Sequence, residues 1–310
     1  MTTTFNQLAD EVQLNLAGYT LQQDRATYLS SAVTTTTSSS ASPTILTLGG
    51  TENLGKGMIE IDEELMWVDS FDRVANTARV APYGRGYMGT TAATHAVDSK
   101  VTISPTFPRH VVKKAINDTI RGVGNNLLAV KQTTFTYNPV VTTYAFANLN
   151  IRNILNISWQ TIGPSKEWKA IRKWSWDAQA SATAFGYTSS DKVQTVTVGD
   201  YITPGRTVQV NYTTTPTALS NATDDFTTVT GLPESCKDVI ILGAAWRLVT
   251  YLDPARAAMV SPQADEIDSK RPYGSSQTAS KQLYALYTQR LNEEVQAQQK
   301  QFPIRVHYSR

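Results

Sequence analysis

The sequence predicts an α+β fold in which a discontinuous α-helical bundle carries two inserted β-rich modules, a small barrel-like insert and a β-sandwich, and ends in an extended C-terminal tail. Helical periodicity occurs in separated segments, and apolar residues alternate with polar ones in the two long stretches between them. The predicted units are an N-terminal bundle helix in 1–27, an inserted β-module in 28–105, a bundle helix in 106–130, a β-sandwich-like module in 131–231, the C-terminal bundle helices in 232–300 and the tail in 301–310.

The first helix has a clear start and a clear end. Thr4 and Gln7 have the spacing of a capping box, and Gly18 supplies the stop. The apolar residues between these signals fall on one face at helical spacing: Phe5, Leu8, Ala9, Val12 and Leu16. The pattern therefore predicts a helix that buries this face in a core.

From Tyr28 to Pro105 the apolar period changes to two, which is typical of half-buried strands. Segments 58–64 and 65–71 predict a pair of strands, and a glycine-rich loop at 84–89 follows. We expect this loop to protrude, with Arg85 and Tyr87 facing a neighbouring subunit or partner. Arg and Tyr are enriched where the binding energy of protein interfaces concentrates.

The second helix is expected to start at Pro108, because proline is favoured at the first helical position. Its stripe is formed by Val112, Ile116, Thr119, Ile120 and Val123. A second β-region runs from about 133 to 229, with alternation at 155–159, at 168–176 with a break at Arg172, and further strands at 193–198 and 208–212. Several short strands separated by turn signals indicate a sandwich or barrel.

The last third of the chain is helical. Pro233 and Glu234 suit the first turn of a helix. The segment 239–252 has almost no polar residues, so this helix must be covered on nearly all sides. We expect the helix, 233–253, at the centre of the bundle, with Trp246 as a large buried aromatic in it. A polar loop runs to Ser276. The final helix carries one apolar stripe, and Pro303 stops it: Leu283, Leu286, Tyr287, Leu291 and Val295.

Two glycine motifs resemble nucleotide-binding loops without meeting their requirements. Gly84, Gly86 and Gly89 spell G-x-G-x-x-G, but a helix pattern does not follow and the nearest acid comes too early for a ribose contact. The segment 50–57 nearly matches a phosphate-binding loop, but Gly57 replaces the Ser or Thr that would hold magnesium. We interpret both as turns.

The residues with catalytic or metal-binding potential are few and scattered. Asp62, Glu63 and Glu64 cluster at a predicted hairpin tip, which usually indicates a solvated turn. Three histidines lie on three different elements without a nucleophile motif, so we interpret them as structural or surface residues: His95, His110 and His307. Cys236 is the sole cysteine and is expected to be a buried, inert thiol. We therefore expect no catalytic residue, no metal and no cofactor.

The composition fits a protein that packs against neighbours. Charged residues make up 17% of the chain, which is low for a cytosolic enzyme, and Thr and Ser take their place. A formal net charge of +2 without a basic stripe does not indicate nucleic-acid binding. The longest apolar run, 239–246, is too short for a membrane span, and the N-terminus lacks the pattern of a signal peptide. We expect a soluble protein made in a reducing cytoplasm.

Two segments resemble virion proteins of tailed bacteriophages. The loop residues Arg85-Gly86, Gly89-Thr90, Ala92 and His95 match a pattern that recurs in their β-domains. Residues 232–249 look like the helix of head-to-tail connector (neck adaptor) proteins, which form the ring below the portal. The resemblance implies a non-catalytic structural protein of the virion neck, present as a ring with twelve-fold symmetry. It implies contacts with other copies of itself, the portal protein and a tail or second neck protein, with DNA passing through the lumen without sequence-specific binding and no membrane partner.

The tail is the main predicted partner-binding segment. Phe302, Ile304, Val306 and Tyr308 alternate with other residues after the helix stop, which is typical of a strand awaiting a sheet edge. Its partner is left open: it pairs either with the β-module of its own chain or with the portal or a neighbouring ring member. Tails of the connector family that this chain resembles behave in the second way.

Two other functional classes stay open. Tryptophans stack on sugars when their faces are exposed, and four of them predict, as the alternative, a carbohydrate-binding or tail-fibre-like host-recognition module: Trp159, Trp168, Trp174 and Trp176. Alternating aromatics in strands more often form core. A phage-associated hydrolase is the third class, and no nucleophile motif supports it.

Overall fold

A computed structural model describes residues 3–18, 25–146, 149–162, 166–186, 192–250 and 275–302. It confirms the α+β class, with antiparallel sheets and a long C-terminal helix. The helices of the described residues are α1 (Phe5–Ala17), α2 (Arg109–Val123), the short α3 (Phe226–Thr230), α4 (Lys237–Thr250) and α5 (Ser275–Gln301). The chain divides into two compact units. We call Asn6–Ile116 with Ile241–Tyr284 the barrel unit, and Met1–Phe5, Asn117–Ile240 and Ala285–Arg310 the sandwich unit.

The barrel unit contains a six-stranded antiparallel sheet with the order β1-β6-β3-β4-β5-β2. Its strands are β1 (Arg25–Tyr28), β2 (Ile45–Thr47), β3 (Gly57–Ile61), β4 (Glu64–Asp72), β5 (Thr77–Val80) and β6 (Lys100–Ile103). An antiparallel bridge between Leu29 and Leu48 joins the ends of the two edge strands, so the sheet closes on itself. Closure removes the free edges that an open sheet would expose. Alternate side chains of the strands fill the interior, including Leu46, Ile59, Ile61, Met66 and Val101.

Helices α1 and α2 are anchored in the barrel unit through Arg109 at the start of α2. Its guanidinium pairs with Asp10 of α1 at 2.6 Å and donates to the Asn6 carbonyl at 3.0 Å. Its backbone N–H donates to the Glu60 carboxylate of β3 at 2.5 Å, which places a negative charge at the helix N-terminus. The predicted apolar face of α1 is buried: Phe5, Leu8, Ala9, Val12 and Leu16.

The sandwich unit contains two antiparallel sheets, one of four strands in the order β10-β9-β13-β7 and one of three in the order β11-β12-β8. The strands are β7 (Ala129–Thr136), β8 (Thr143–Phe146), β9 (Asn153–Gln160), β10 (Trp168–Ala170), β11 (Trp174–Ser181), β12 (Lys192–Val198) and β13 (Thr207–Thr214). Residues from both sheets share one apolar cluster, for example Ile157 and Val210 from the first and Val196 and Val198 from the second. This shared core is the β-sandwich that the alternation predicts.

The C-terminal helices differ in part from the expectation. A single 3₁₀ turn, Glu234–Cys236, precedes α4, so the α-helix starts later than Pro233. Trp246 is only half-buried and packs edge-to-face on Tyr284 of α5, so the expectation of a large buried aromatic at this position is wrong. On α5, Leu283 and Leu291 are buried, whereas Leu286 is 44% exposed and lies off the buried stripe. The expected polar loop before Ser276 lies outside the described residues.

Candidate functional site

The glycine-rich loop connects β5 to β6 in the barrel unit. Its only helical element is a 3₁₀ turn at Tyr87–Gly89, so the helix that a dinucleotide-binding loop requires does not follow its glycines. Gly86 has φ 61°, and a Cβ added there would lie 2.7 Å from the Thr90 carbonyl oxygen. A Cβ added at Gly84 would lie 2.9 Å from the carbonyl oxygens of both Ala81 and Trp67. The glycines therefore allow close backbone approach within the loop itself.

The loop binds a carboxylate of its own chain. The Glu64 side chain, 1% exposed, lies at the start of β4 and accepts two hydrogen bonds from the Arg85 guanidinium at 2.6 and 2.8 Å. The backbone N–H groups of Gly86 and Ala93 donate to its two oxygens at 2.9 Å each. Donors from both halves of the loop thus converge on one carboxylate of the same chain.

His95 completes this cluster. Its Nε2 lies 2.9 Å from Glu64 Oε2, and its Nδ1 lies 2.7 Å from Asp62 Oδ2. Burial lowers the pKa of His95, but the hydrogen bonds and charges of Glu64 and Asp62 outweigh this effect and raise it. Burial likewise raises the pKa of Glu64, yet the donors around it lower that pKa to about 2. Hydrogen bonds from Arg85, His95 and the loop backbone to Glu64 therefore hold the loop against β4.

These contacts correct two expectations. Arg85 does not face outward, because its side chain is 3% exposed and also donates to the carbonyls of Thr35 and Ala93. Glu64 does not belong to a solvated turn, and only Asp62 and Glu63 occupy the hairpin tip between β3 and β4. The sequence contains no signal for this burial, because nothing in the pattern of three consecutive acids distinguishes Glu64 from Asp62 and Glu63. Only the folding of the glycine-rich loop over Glu64 buries it.

The outer surface of the loop consists of other residues. Tyr83 is 92% exposed and Met88 is 63% exposed, and both adopt left-handed backbone conformations, with φ 59° and 55°. Tyr87 is half-buried and its ring lies 5.2 Å from that of Trp67. Partner binding by Arg85 and Tyr87 stays a prediction, and in any contact made by this loop Tyr83 and Met88 are the side chains most available.

Further candidate residues lie in a turn and on a helix of the described part of the chain. The segment 50–57 forms a turn in which Thr51 is buried and bonds Asn76, and a strand rather than a helix follows. His110 lies on α2, where burial and Lys114 lower its pKa, and His307 lies outside the described residues. Among the described residues, there is no group of three or more His, Cys, Asp or Glu side chains that could hold a metal ion.

The four tryptophans of the second β-region divide into two sets. Trp159, Trp174 and Trp176 are partly buried and pack against the sandwich core. Trp168 is 45% exposed on the edge strand β10. The interpretation of these aromatics as core therefore holds for three of the four, and Trp168 keeps an accessible ring.

A pocket of about 310 Å³ lies where the C-terminal helix of the sandwich unit ends, lined partly by Leu127, Leu232 and Phe302. The Gln298 amide closes one side by a pair of hydrogen bonds with the backbone of Leu128, at 2.5 and 3.1 Å. Cys236 is buried beside it, and its burial together with the Glu294 charge raises the thiol pKa to about 12, so the thiol is inert as expected.

The predicted tail begins at this pocket. Phe302 is half-buried, and its N–H donates to the Gln298 carbonyl at 2.9 Å, which continues the hydrogen bonding of α5. The other three predicted tail contacts, Ile304, Val306 and Tyr308, lie outside the described residues. None of the helices in the described ranges is long and apolar enough to cross a membrane.

Comparison with known proteins identifies the family. The model of the SU10 adaptor protein family matches residues 90–307, which include His95 of the cluster, the whole sandwich and helices α2 to α5. No curated protein matches this chain. Because the match covers well over half of the chain, the protein belongs to the SU10 adaptor protein family and is a structural adaptor protein of a bacteriophage virion.

Proposed function

We propose that this protein forms a ring of identical copies at the head-to-tail interface of the virion, below the portal. The observation that carries the proposal is the family match, which spans the helices α2 to α5 and the region of the tail. A ring requires a heterologous interface, in which two different surfaces of each copy meet. The portal protein on one side and a tail or second neck protein on the other are the proposed partners, with DNA passing through the lumen.

The tail is the proposed attachment to the portal or to a neighbouring copy. Its apolar residues are Phe302, Ile304, Val306 and Tyr308, and they alternate with Pro303, Arg305, His307 and Ser309. An extended segment that adds to a sheet edge gains affinity from backbone hydrogen bonds and specificity from every second side chain. The position of Phe302 supports this, because the helix α5 ends at Gln301, directly before the tail segment.

The exposed side of the glycine-rich loop is the proposed second contact. Tyr83 and Met88 are exposed apolar side chains on a loop that the Glu64 cluster holds in one conformation. A loop that is already fixed in one conformation loses little conformational entropy when it binds a partner, and this favours affinity. In this proposal Arg85 acts by fixing the loop, and Tyr87 with its exposed neighbours touches the adjacent copy.

Electron microscopy of the full chain mixed with purified portal protein tests this function. The wild type should form rings or collars on the portal. Replacement of Ile304, Val306 and Tyr308 by serine should abolish attachment and leave the thermal midpoint unchanged, because backbone pairing without apolar side chains binds weakly. The matched control replaces Arg305 and His307 by serine and should attach like the wild type. Normal attachment of the first variant would contradict the role of the tail, and absence of any ring or collar from the wild type would contradict the proposed function.

A further inference from the structure

The outward face of the four-stranded sheet carries five carboxamide side chains. We define the amide face as Gln132, Asn156, Gln160, Trp168, Gln209 and Asn211. These residues come from all four strands of the sheet, β7, β9, β10 and β13. We propose that the amide face binds a neutral carbohydrate chain, a function separate from attachment to the portal.

Strand register places these side chains on one face. Val208 and Val210 of β13 are fully buried in the sandwich core, so the alternate residue Gln209 and its neighbour Asn211 point away from it. Asn211 pairs with Asn156 of β9 and with Gln132 of β7. Residues paired across antiparallel strands share a face, and Asn156 and Gln132 are both exposed. Three neighbouring strands therefore present one continuous row of amides.

Hydrogen bonds fix the orientation of the amides. Asn211 Nδ2 donates to Asn156 Oδ1 at 2.6 Å, and Gln209 Nε2 donates to Asn211 Oδ1 at 2.8 Å and to Gln132 Oε1 at 3.1 Å. A carboxamide has two N–H donors and an oxygen that accepts twice, so these bonds leave capacity on each group. Adjacent donors and acceptors held in place at a surface match the vicinal hydroxyl groups of a sugar, each of which both donates and accepts.

Trp168 supplies the apolar part of the surface. It pairs with Gln160 across the β10–β9 register, so its ring lies on the amide face at the sheet edge. With 45% of the residue exposed and no place in the sandwich core, its ring is available to a ligand, unlike those of Trp159 and Trp176. An aromatic ring buries a large apolar area at little entropic cost, and the C–H face of a pyranose is a flat apolar partner for it.

The side chains of the amide face fit a neutral polysaccharide better than a nucleic acid or a protein. All six defining side chains are uncharged, whereas nucleic-acid surfaces depend on Lys and Arg for phosphate contacts. The interior of a protein interface is enriched in aromatic residues, Met and Arg, and the amide face offers one such residue. Four strands at about 4.8 Å spacing make an open surface roughly 14 Å wide, which suits several units of an extended chain rather than one enclosed monosaccharide. A neutral, hydroxyl-rich polymer is the ligand that fits.

Affinity electrophoresis and a glycan array of the purified full chain test the proposal. The probes are dextran and neutral bacterial O-polysaccharides, with heparin and duplex DNA as anionic comparators. The wild type should bind at least one neutral polymer, and Trp168→Ala should weaken that binding at least tenfold. Gln209→Ala, which removes the central amide, should weaken it as well. The matched control is Tyr201→Ala, because Tyr201 is an aromatic residue of the same unit that is 93% exposed and lies outside the sheet strands.

Each contrary result overturns the proposal. If no neutral polymer is retained, or only heparin and DNA are, the amide face does not bind neutral glycans. Binding by Trp168→Ala equal to that of the wild type would place the glycan elsewhere. If Trp168→Ala instead disrupts co-assembly with the portal and leaves glycan binding intact, the face is a protein interface. Circular dichroism and thermal midpoints of the variants separate loss of binding from loss of folding.

Discussion

Arg85 and Glu64 form a buried bidentate ion pair, with Nε 2.6 Å from Oε1 and Nη2 2.8 Å from Oε2. Arg85 also donates to the carbonyls of Thr35 and Ala93, so one guanidinium connects β4, the chain before β2 and the glycine-rich loop. Planar guanidinium and carboxylate groups match in two parallel bonds, which gives the pair directionality as well as charge. The pair therefore fixes the conformation of a long connection that has little regular structure of its own.

We expect Glu64→Gln to destabilise the protein by about 3–5 kcal/mol, because it leaves the buried Arg85 without a counter-charge. Urea unfolding followed by circular dichroism measures this loss. The matched control is Glu52→Gln in the same unit, where the side chain is exposed, and it should change the free energy of unfolding by less than about 0.5 kcal/mol. Equal stability of the two variants would mean that the ion pair is not required for folding.

The pH dependence of stability should reflect the same cluster. The pKa of His95 is raised from 6.5, so its contribution is fully present below about pH 6.5 and is lost as the pH rises through the raised value. The pKa of Glu64 falls from 4.5 to about 2, so its contribution is present above pH 4.5 and is lost as the pH falls toward 2. The cluster should therefore stabilise the protein most between about pH 4.5 and 6.5.

The difference in unfolding free energy between the wild type and His95→Gln isolates the histidine from other titrating groups such as His110. This difference should be largest near pH 5–6 and should shrink toward pH 9. A difference that stays constant over this range would show that folding does not raise the pKa of His95, and a difference that grows with pH would show that folding lowers it.

The glycines of the loop allow a matched test of close backbone approach. Gly86 and Gly89 both have positive φ, at 61° and 83°, but only at Gly86 would a Cβ meet another atom, the Thr90 carbonyl oxygen at 2.7 Å. Each alanine substitution should lose roughly 1–2 kcal/mol from the left-handed backbone. Gly86→Ala should lose measurably more, because the clash displaces backbone that holds Glu64. Equal thermal midpoints for the two variants would contradict this account.

The apolar helix α4 should depend on its smaller buried residues more than on its tryptophan. Leu248 is 3% exposed, and Leu248→Ala should cost about 2–5 kcal/mol. Trp246→Ala should cost less, because Trp246 is half-buried and its ring packs on Tyr284, which is itself 52% exposed. Chemical denaturation of both variants measures their free energies of unfolding. A larger loss of stability for Trp246→Ala than for Leu248→Ala would contradict this ranking and indicate that Trp246 belongs to the core.

Several elements of the fold could be predicted because their cause is local. Helical spacing from Phe5 to Leu16 and the stop at Gly18 correspond to α1, which ends at Ala17. Alternation around Ile157 and Trp159 corresponds to β9, and Val208 to Tyr212 lies within β13. In each case backbone geometry sends the apolar residues to one side, so the period of the sequence shows both the element and its buried face.

The same reasoning was wrong where the environment of a residue comes from distant parts of the chain. Leu286 has the spacing of the buried stripe of α5 but is exposed, and Trp246 lies in an apolar helix but is half-buried. Burial of a helical position depends on which surface packs against it, and a single sequence does not contain that information.

The sequence by itself determined the α+β class, the two β-rich stretches, the glycine-rich turn and the resemblance to phage adaptors. Only the tertiary structure decided that Glu64 is buried while Asp62 and Glu63 remain at the turn, that Arg85 points inward, and that Trp168 joins the amides of three other strands. The physical reason is that periodicity arises from bonds along one segment. A buried ion pair or a shared sheet face arises instead from groups far apart in sequence, and their desolvation and pairing are settled only when the strands come together.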